Sequence, residues 1–332
     1  MRKTAFLFAA VLAIAVFAAC GLTAKEAGAA DKYTLKISTS QTDQSLISRS
    51  YMMLADRLTK KTNGRLDVKV FPSGQLGNDE DVIEQAIQGV GVAVNTDPAR
   101  MGTYVKEMGI LMMGYFADNY DECNKVTKTK TFKNWENELA QKHGIRVLAF
   151  NFYDGPRHFM TNKEVTKPAD LSNLRIRTIG SEVCLSSISA MGATPIAMSW
   201  GEVYNGIQSK ALDGCEAQNT STYPSRIYEV CKFQSKTGHF QLMQGLICGE
   251  VWFKKLPADL QKILVETANE VGAESAKLVM TEADKCEQNM QKAGLKVVKP
   301  DIAAFKAAMK PAYDKLGYTQ LRSQLYKEIG KK

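Results

Sequence analysis

Arginine side chains are the residues of this sequence best suited to holding a charged solute. The segment Leu174-Arg175-Ile176-Arg177-Thr178 alternates apolar and charged residues, which is typical of a β-strand whose two arginines share one face. A guanidinium is planar, always charged and less strongly hydrated than an ammonium group, so it can be buried against a carboxylate. Taken alone, the pattern favours a solvated strand face, and the surrounding sequence must decide whether either arginine binds an anion.

Catalytic chemistry has little support in the sequence. The three histidines, His143, His158 and His239, are far apart and have no HExxH or GxSxG setting. Cys215 and His239 would offer a thiol nucleophile and a base, but no third group is marked to orient them. Gly89-Val90-Gly91 lacks the third glycine of a dinucleotide fingerprint. We therefore expect neither an enzyme nor a cofactor.

Cysteine spacing argues against a metal site. Six cysteines follow residue 30, namely Cys123, Cys184, Cys215, Cys231, Cys248 and Cys286. None belongs to a CxxC motif, and their irregular spacing matches no zinc pattern. In an oxidising compartment they would allow up to three disulfides, and buried free thiols are an equally good interpretation.

The N-terminus predicts export from the cytoplasm. A basic start precedes an uncharged apolar run at 5–19, which is too short to span a bilayer comfortably. FAAC at 17–20 is an imperfect lipoprotein signal that would leave a lipidated Cys20, whereas AGAAD at 27–31 offers an ordinary cleavage site. We favour the second site, so residues 1–30 are interpreted as a signal peptide and the mature chain is expected in the periplasm.

The charge balance excludes one class of partner. The net charge of +8 falls to +6 without residues 1–30, because that segment carries Arg2, Lys3 and Lys25 against Glu26. The basic residues are scattered and no ladder of aromatic residues accompanies them, so nucleic-acid binding is not expected. The basic balance is compatible with a cleft that binds an anion.

Strands alternate with helices in the first half of the mature chain, which predicts a mostly parallel sheet covered on both faces. The predicted elements are strands at 35–40, 66–71 and 90–94 and helices at 46–59 and 79–88. The acidic residues at 79–81 suit the positive N-terminal end of a helix, and we interpret them as its solvated beginning.

A second α/β series follows a predicted crossing between domains. Residues 145–155 and 157–162 are interpreted as two extended segments separated by Gly155-Pro156. The later predicted elements are a helical turn at 168–170, strands at 174–178, 194–198 and 295–299, and helices at 181–191, 199–208, about 257–293 and from 302.

Long motifs in this series resemble a known family. GPRHFMTNKEVTKPADLSNLRIRT at 155–178 and MGATPIAMSWGEVYNGIQSKALDG at 191–214 are similar to the signature region of the solute-binding proteins of TRAP transporters, the tripartite ATP-independent periplasmic carriers. FPSGQLGNDEDVIEQAIQG at 71–89 and WFKKLPADLQKIL at 252–264 are similar to two further signatures. The resemblance covers nearly all of the mature chain in order.

The resemblance implies an α/β, two-lobed periplasmic-binding-protein fold with mixed, mostly parallel sheets, a hinge and a long bracing helix. It implies that residues 31–154 plus about 243–282 form one lobe, and 155–242 plus about 283–332 the other. The lobes would close over a small organic anion. Expected partners are that anion and the small and large membrane subunits of the transporter, and we expect a monomer.

The resemblance also implies the site residues. Arg177 would pair with the ligand carboxylate through two parallel hydrogen bonds, and Arg157 would be the second arginine at the pocket. Arg175 has no such role and is interpreted as a surface residue. Trp200 lies where the family often places an aromatic residue against the ligand, although packing at a helix start would also explain it.

Weaker candidates come from the first lobe and the return crossing. Asp97 and Arg100 lie where the first lobe contributes polar contacts, although helix capping or a surface position would explain them equally well. Gln41 follows the first strand and Gln244 lies near the return crossing, and both are also explained as loop residues.

The chain departs from the family pattern after Asp213-Gly214. Family members commonly read DGQEN, and the ligand-contacting asparagine of that motif falls on Ala217, which offers no side-chain hydrogen bond. Either Gln218 or Asn219 replaces the contact, or the ligand lacks the group that needs it. A sulfonate or a differently substituted acid then becomes conceivable.

Two other functions stay open at this point. The same fold would serve as the ligand-binding component of a periplasmic sensor, and Cys215 with His239 would serve a secreted thiol enzyme. Within the binding function, dicarboxylates, monocarboxylates, sugar acids and sulfonates all remain candidate ligands.

Overall fold

The structure is a computed structural model that describes residues 31–331. The interpreted signal peptide, with both of its cleavage alternatives, lies outside the described residues. Between residues 31 and 331, no helix combines the length and the apolar character that crossing a membrane would require.

One mixed sheet runs through the described chain. Its nine strands are β1 (Tyr33–Ser38), β2 (Leu66–Phe71), β3 (Val92–Thr96), β4 (Ile145–Thr161), β5 (Arg175–Thr178), β6 (Thr194–Ala197), β7 (Gly214–Gln218), β8 (Phe233–Gly249) and β9 (Lys296–Val298). The strand order is β2-β1-β3-β8-β4-β7-β5-β6, and β9 pairs with β8. Only the pairs β3–β8, β8–β4 and β4–β7 are antiparallel, so the predicted α/β fold with mostly parallel pairing is confirmed.

The two longest strands correct the predicted break at Gly155-Pro156. β4 is continuous over 17 residues and pairs with β8, also of 17 residues. Pro156 lies opposite Gln241 of β8, next to a register irregularity between Tyr153 and Gly155, and pairing with β7 begins only at Arg157. Proline is tolerated in a strand where no neighbour needs its missing N–H, which explains why the strand continues.

Helices cover the sheet. They are α1 (Leu46–Lys61), α2 (Asp79–Ile87), α3 (Pro98–Met101), α4 (Tyr120–Thr127), α5 (Lys130–His143), α6 (Glu182–Ala190), α7 (Val203–Gln208), α8 (Asn219–Thr222), α9 (Glu250–Lys255), α10 (Ala258–Lys292), α11 (Ile302–Ala308), α12 (Lys310–Leu316) and α13 (Thr319–Ile329). Short 3₁₀ turns occur at Lys106–Met112, Pro168–Leu171, Trp200–Glu202 and Ile227–Glu229.

The predicted long helix is α10, whose 35 residues extend over about 50 Å at 1.5 Å per residue. Its buried residues recur every three or four positions, as in Leu260, Leu264 and Val271, and this stripe packs against β4 and α1. The helix therefore lies along the middle of the sheet, beside the strand that carries the chain from one half to the other. The lobe boundaries stay a prediction.

Candidate ligand-binding cavity

A small cavity gathers most of the residues expected at the site. Eight of the nine candidates line it, namely Gln41, Asp97, Arg100, Arg157, Arg177, Trp200, Gln218 and Gln244. The other lining residues are Ser40, Asp79, Asn95, Ile179, Ser221 and Leu242. The space that they leave is about 30 Å³, so the cavity is narrow.

Strand ends bring these side chains together. Gln41 follows β1 and Asp97 follows β3, and β1 and β3 are parallel neighbours. Arg177 lies in β5, Trp200 follows β6 and Gln218 ends β7, and these three strands are also parallel neighbours. Within each group the carboxyl ends of the parallel strands lie at one edge. The antiparallel pairs β3–β8, β8–β4 and β4–β7 separate the two groups, which therefore run in opposite directions, and the cavity is lined from both sets of strand ends.

Arg177 is a buried cation without a counterion. Its side chain is 3% exposed, its Nε donates to the carbonyl oxygen of Met198 at 2.8 Å, and its guanidinium lies over the Trp200 ring, 5.3 Å from the centroid. Neither Nη atom has a hydrogen-bond partner among residues 31–331. Burial, together with repulsion from Arg157, lowers the pKa of Arg177 to about 10. This guanidinium is therefore short of negative charge.

Arg157 is equally buried but fully paired. Its Nη2 donates to Oε1 of Glu216 and to the Glu216 carbonyl oxygen, both at 2.7 Å, and its Nε donates to Oε2 of Glu216. Its Nη1 donates to Oε1 of Gln218 at 3.0 Å. Burial favours the protonated form of Glu216, but Arg157 and His239 outweigh burial and lower the pKa of Glu216 to about 2. The Glu216 carboxylate therefore neutralises Arg157.

Arg100 is paired with three carboxylates. Its Nη2 lies 3.0 Å from Asp79, its Nε lies 2.8 Å from Glu80, and its Nη1 contacts Asp97. Asp97 also accepts from the Arg100 backbone N–H, so the helix-capping role left open for it is present. Arg100 and Asp97 thus combine a structural role with a position in the cavity wall.

Asp79 corrects the interpretation of the acidic run at 79–81. Asp79 is 7% exposed and contacts Ser40 and Arg100, whereas Glu80 and Asp81 are exposed as expected. Burial raises the pKa of Asp79 although Arg100 opposes that shift. No local pattern marks this position as buried, because its partner Arg100 belongs to another helix.

Amide side chains on the cavity wall lack partners. Oε1 of Gln41 and Oε1 of Gln244 are buried without a hydrogen bond from residues 31–331. Asn95, which sequence reasoning missed, accepts from the Tyr51 hydroxyl at 2.5 Å. Buried polar groups are rarely left unpaired, so these amides are suited to contact a polar solute.

Gln218 and Asn219 do not offer free groups in place of the missing asparagine. Gln218 lines the cavity, but its Oε1 accepts from Arg157 and its Nε2 donates to Asp154 and Ser221. Asn219 does not line the cavity, because its amide contacts the α10 residues Ala283 and Glu287 and accepts from Gln234. Ala217 packs in an apolar cluster with Trp200.

The other residues considered for anion binding or thiol chemistry have structural positions. Arg175 is 43% exposed and pairs with Asp213 at 2.9 Å, as expected for a surface residue. All six cysteines between residues 31 and 331 are free and buried. Burial raises the pKa of Cys215 to about 12, so its thiol stays protonated. His239 contacts Glu216 and Thr237 and stacks on Phe159.

Metal chemistry finds no support in the described residues. Across residues 31–331, no group of three or more histidine, cysteine, aspartate or glutamate side chains is placed to hold a metal ion. The acidic residues around Arg100 are engaged by that guanidinium instead.

Comparison with known proteins identifies the family. The family model described as bacterial extracellular solute-binding protein, family 7, matches residues 37–320, so the chain belongs to this family, as the motifs predicted. Members are solute-binding components of transport systems and not enzymes. The chain is 28% identical over 280 residues to the sialic acid-binding periplasmic protein SiaP of Vibrio cholerae, covering 84% of this chain and 87% of that protein.

Two solved structures of TRAP periplasmic solute-binding proteins differ in how well they superpose. One from Ochrobacterium anthropi, with bound L-fuconate, has a TM-score of 0.87 at 28% identity and covers 90% of this chain and 99% of its own. One from Escherichia fergusonii, an apo open structure, has a TM-score of 0.78 at 32% identity and covers 89% and 99%. Our structure is thus more similar in shape to the ligand-bound protein, although that protein is less similar in sequence.

Proposed function

We propose that this protein is the solute-binding subunit of a TRAP transporter, acting in the periplasm as a monomer. It captures a small organic anion and delivers it to the small and large membrane subunits. The family membership supports the transport role, and two of the proteins named above are described with acidic solutes, sialic acid and L-fuconate. The solute itself is inferred from the cavity of this chain.

The observation that carries the proposal is the unpaired guanidinium of Arg177. A buried cation without a counterion is costly, and a carboxylate or sulfonate can accept two parallel hydrogen bonds from its free Nη atoms. Hydrogen bonds to charged groups contribute roughly 1.5 to 3 kcal/mol each. Those two bonds are enough to decide whether an anion is retained.

Capture would use closure of two lobes about a hinge. The lining comes from the ends of β1 and β3 on one side and of β5, β6 and β7 on the other, and β4 and β8 connect these groups of strands. Register irregularities occur in β4 between residues 147 and 159, and such bulges bend strands locally. A solute that contacts both sides favours the closed population.

The similarity to the ligand-bound structure supports a closed arrangement of the two lobes in this structure. The narrow cavity, of about 30 Å³, is consistent with that form, because its walls must move apart before an organic acid can enter. Entry would therefore require the lobes to separate, and retention would follow from their return.

A thermal-shift screen of organic acids and sulfonates against residues 31–332 tests the proposal. A ligand at about 100 times its dissociation constant stabilises by roughly 2.7 kcal/mol. We expect Arg177→Ala to abolish the shift caused by the best hit. Arg177→Lys should reduce it strongly, because an ammonium group cannot donate two parallel hydrogen bonds in the guanidinium geometry.

Arg175→Ala is the matched control, since Arg175 lies in the same strand but is exposed and paired with Asp213. It should retain the shift. Equal binding of the same hit by Arg177→Ala would show that the anion is held elsewhere, and the proposed function at this cavity would then be wrong.

A further inference from the structure

We propose that the cavity selects a hydroxylated monocarboxylate, with one negative charge at the Arg177 end and hydroxyl groups at the opposite wall, over a dicarboxylate. The inference rests on the proposed function and specifies the class of solute at that same site. It follows from how many cations of the cavity remain unpaired and from which polar groups face them.

The charge count allows one anionic group. Three guanidinium groups line the cavity, but Arg157 is held by Glu216 and Gln218, and every guanidinium nitrogen of Arg100 contacts a carboxylate. Of these three, only Arg177 has free Nη atoms and no carboxylate partner among residues 31–331. A second anionic group on the solute would therefore find no unpaired guanidinium.

The wall around Arg100 would repel a second carboxylate. Asp79, Glu80 and Asp97 all lie at Arg100, so three carboxylates face one guanidinium and leave an excess of negative charge. Asp79 and Asp97 also line the cavity. A carboxylate of the solute placed beside Asp79 or Asp97 would be repelled strongly, because water that would screen the two negative charges is excluded. A neutral far end of the solute avoids this cost.

Hydroxyl groups match the unpaired amides of this wall. Oε1 of Gln41 and Oε1 of Gln244 need hydrogen-bond donors, and the amide Nδ2 of Asn95 is available as a donor because only its Oδ1 is engaged. A hydroxyl group both donates and accepts, whereas an ammonium group only donates. The amides therefore favour hydroxyl groups over an amino group at the far end.

Calorimetric titration with matched acids tests this class. The probes are galactonate against galactarate, threonate against tartrate, and 4-hydroxybutanoate against 4-aminobutanoate. The first two pairs differ by one terminal carboxylate, and the last by a hydroxyl or amino group. We expect the tightest binder to be a hydroxylated monocarboxylate, and its dianionic counterpart to bind at least about tenfold more weakly, or about 1.4 kcal/mol.

A dianion or the amino acid as the tightest binder would overturn the inference, and so would the absence of binding by every probe. If a dianion binds and requires Arg177, only this inference fails and the proposed function stands. If the tightest binder is unaffected by Arg177→Ala, the proposed function fails instead.

Asp79→Asn provides a second test, since asparagine keeps the shape of the side chain while removing one carboxylate from the wall. The preference for monocarboxylate over dicarboxylate should fall at least about tenfold. Asp81→Asn is the control, because Asp81 is exposed on the same helix and should leave the preference unchanged. An unchanged preference in Asp79→Asn would contradict the role of the acidic wall.

Discussion

Arg157 and Glu216 form an ion pair from which water is almost excluded, with side chains 4% and 0% exposed. The guanidinium and carboxylate meet through two hydrogen bonds, and the Glu216 carbonyl accepts a third. Thr178 also donates to Glu216, at 2.7 Å. Arg157 is thus neutralised by Glu216, and Arg177 is left as the guanidinium of the cavity without a carboxylate partner.

Breaking this pair should destabilise the protein severely. In Glu216→Gln, Arg157 would be buried without a counterion, which typically costs about 3–5 kcal/mol. Urea denaturation should show a loss of that size. The control is Asp213→Asn, which alters the exposed pair with Arg175 and should cost less than about 1 kcal/mol. Equal losses in the two variants would contradict the role of the buried pair.

Asp154 should make stability depend on pH. Burial raises the pKa of Asp154 from 3.8 to about 6, although Thr220 and Gln218 donate hydrogen bonds to it. The folded state therefore holds the Asp154 proton more tightly than the unfolded state. The contribution of protonated Asp154 to the free energy of unfolding is fully present below pH 3.8 and is lost as the pH rises through 6.

Asp154→Asn tests this dependence. A shift of that size corresponds to about 3 kcal/mol, so the stability of the variant relative to the parent should rise by up to that amount between pH 4 and about pH 7. Denaturation across this pH range measures the difference. Asp56→Asn, at an exposed position of α1, should show no such trend, and a constant difference in Asp154→Asn would refute the assignment.

The six thiols of residues 31–332 should react only after unfolding. All are buried and free, and burial raises the pKa of both Cys184 and Cys215 to about 12. Ellman's reagent at pH 8 should label none in the native protein and all six in guanidinium chloride. Cys215→Ser should lower the unfolded count to five and retain the ligand-induced thermal shift. Fast native labelling of Cys215 would instead support a reactive thiol.

Trp200 should contribute to binding through its ring. The indole lies against the Arg177 guanidinium and donates to Ser225 at 3.1 Å. Trp200→Phe keeps an aromatic face, whereas Trp200→Ala admits water beside the cation. We expect Trp200→Ala to weaken binding of the best acid by about 1–2 kcal/mol and Trp200→Phe to weaken it less, as measured by calorimetry. If Trp200→Ala bound the acid as tightly as the parent protein does, a role for the ring would be excluded.

Local patterns predicted the individual elements well. The alternation of apolar and charged residues at 66–71 predicted both ends of β2 correctly. The acidic residues from Asp79 predicted the start of α2 correctly. The break predicted at Gly155-Pro156 was wrong, because partner strands decide whether a proline interrupts a ladder. The length of β8 was also missed, since its pairing with β3 and β4 involves residues distant in sequence.

The sequence by itself determined the family, the α/β class and the strand that carries Arg177, because these depend on motifs and on periodicity within short segments. Only the tertiary structure decided which of the three arginines at the cavity is without a counterion. Glu216 reaches Arg157 across paired strands, and three acidic residues of two helix starts reach Arg100. Charge compensation depends on distances between side chains from separate elements, and local sequence patterns do not specify those distances.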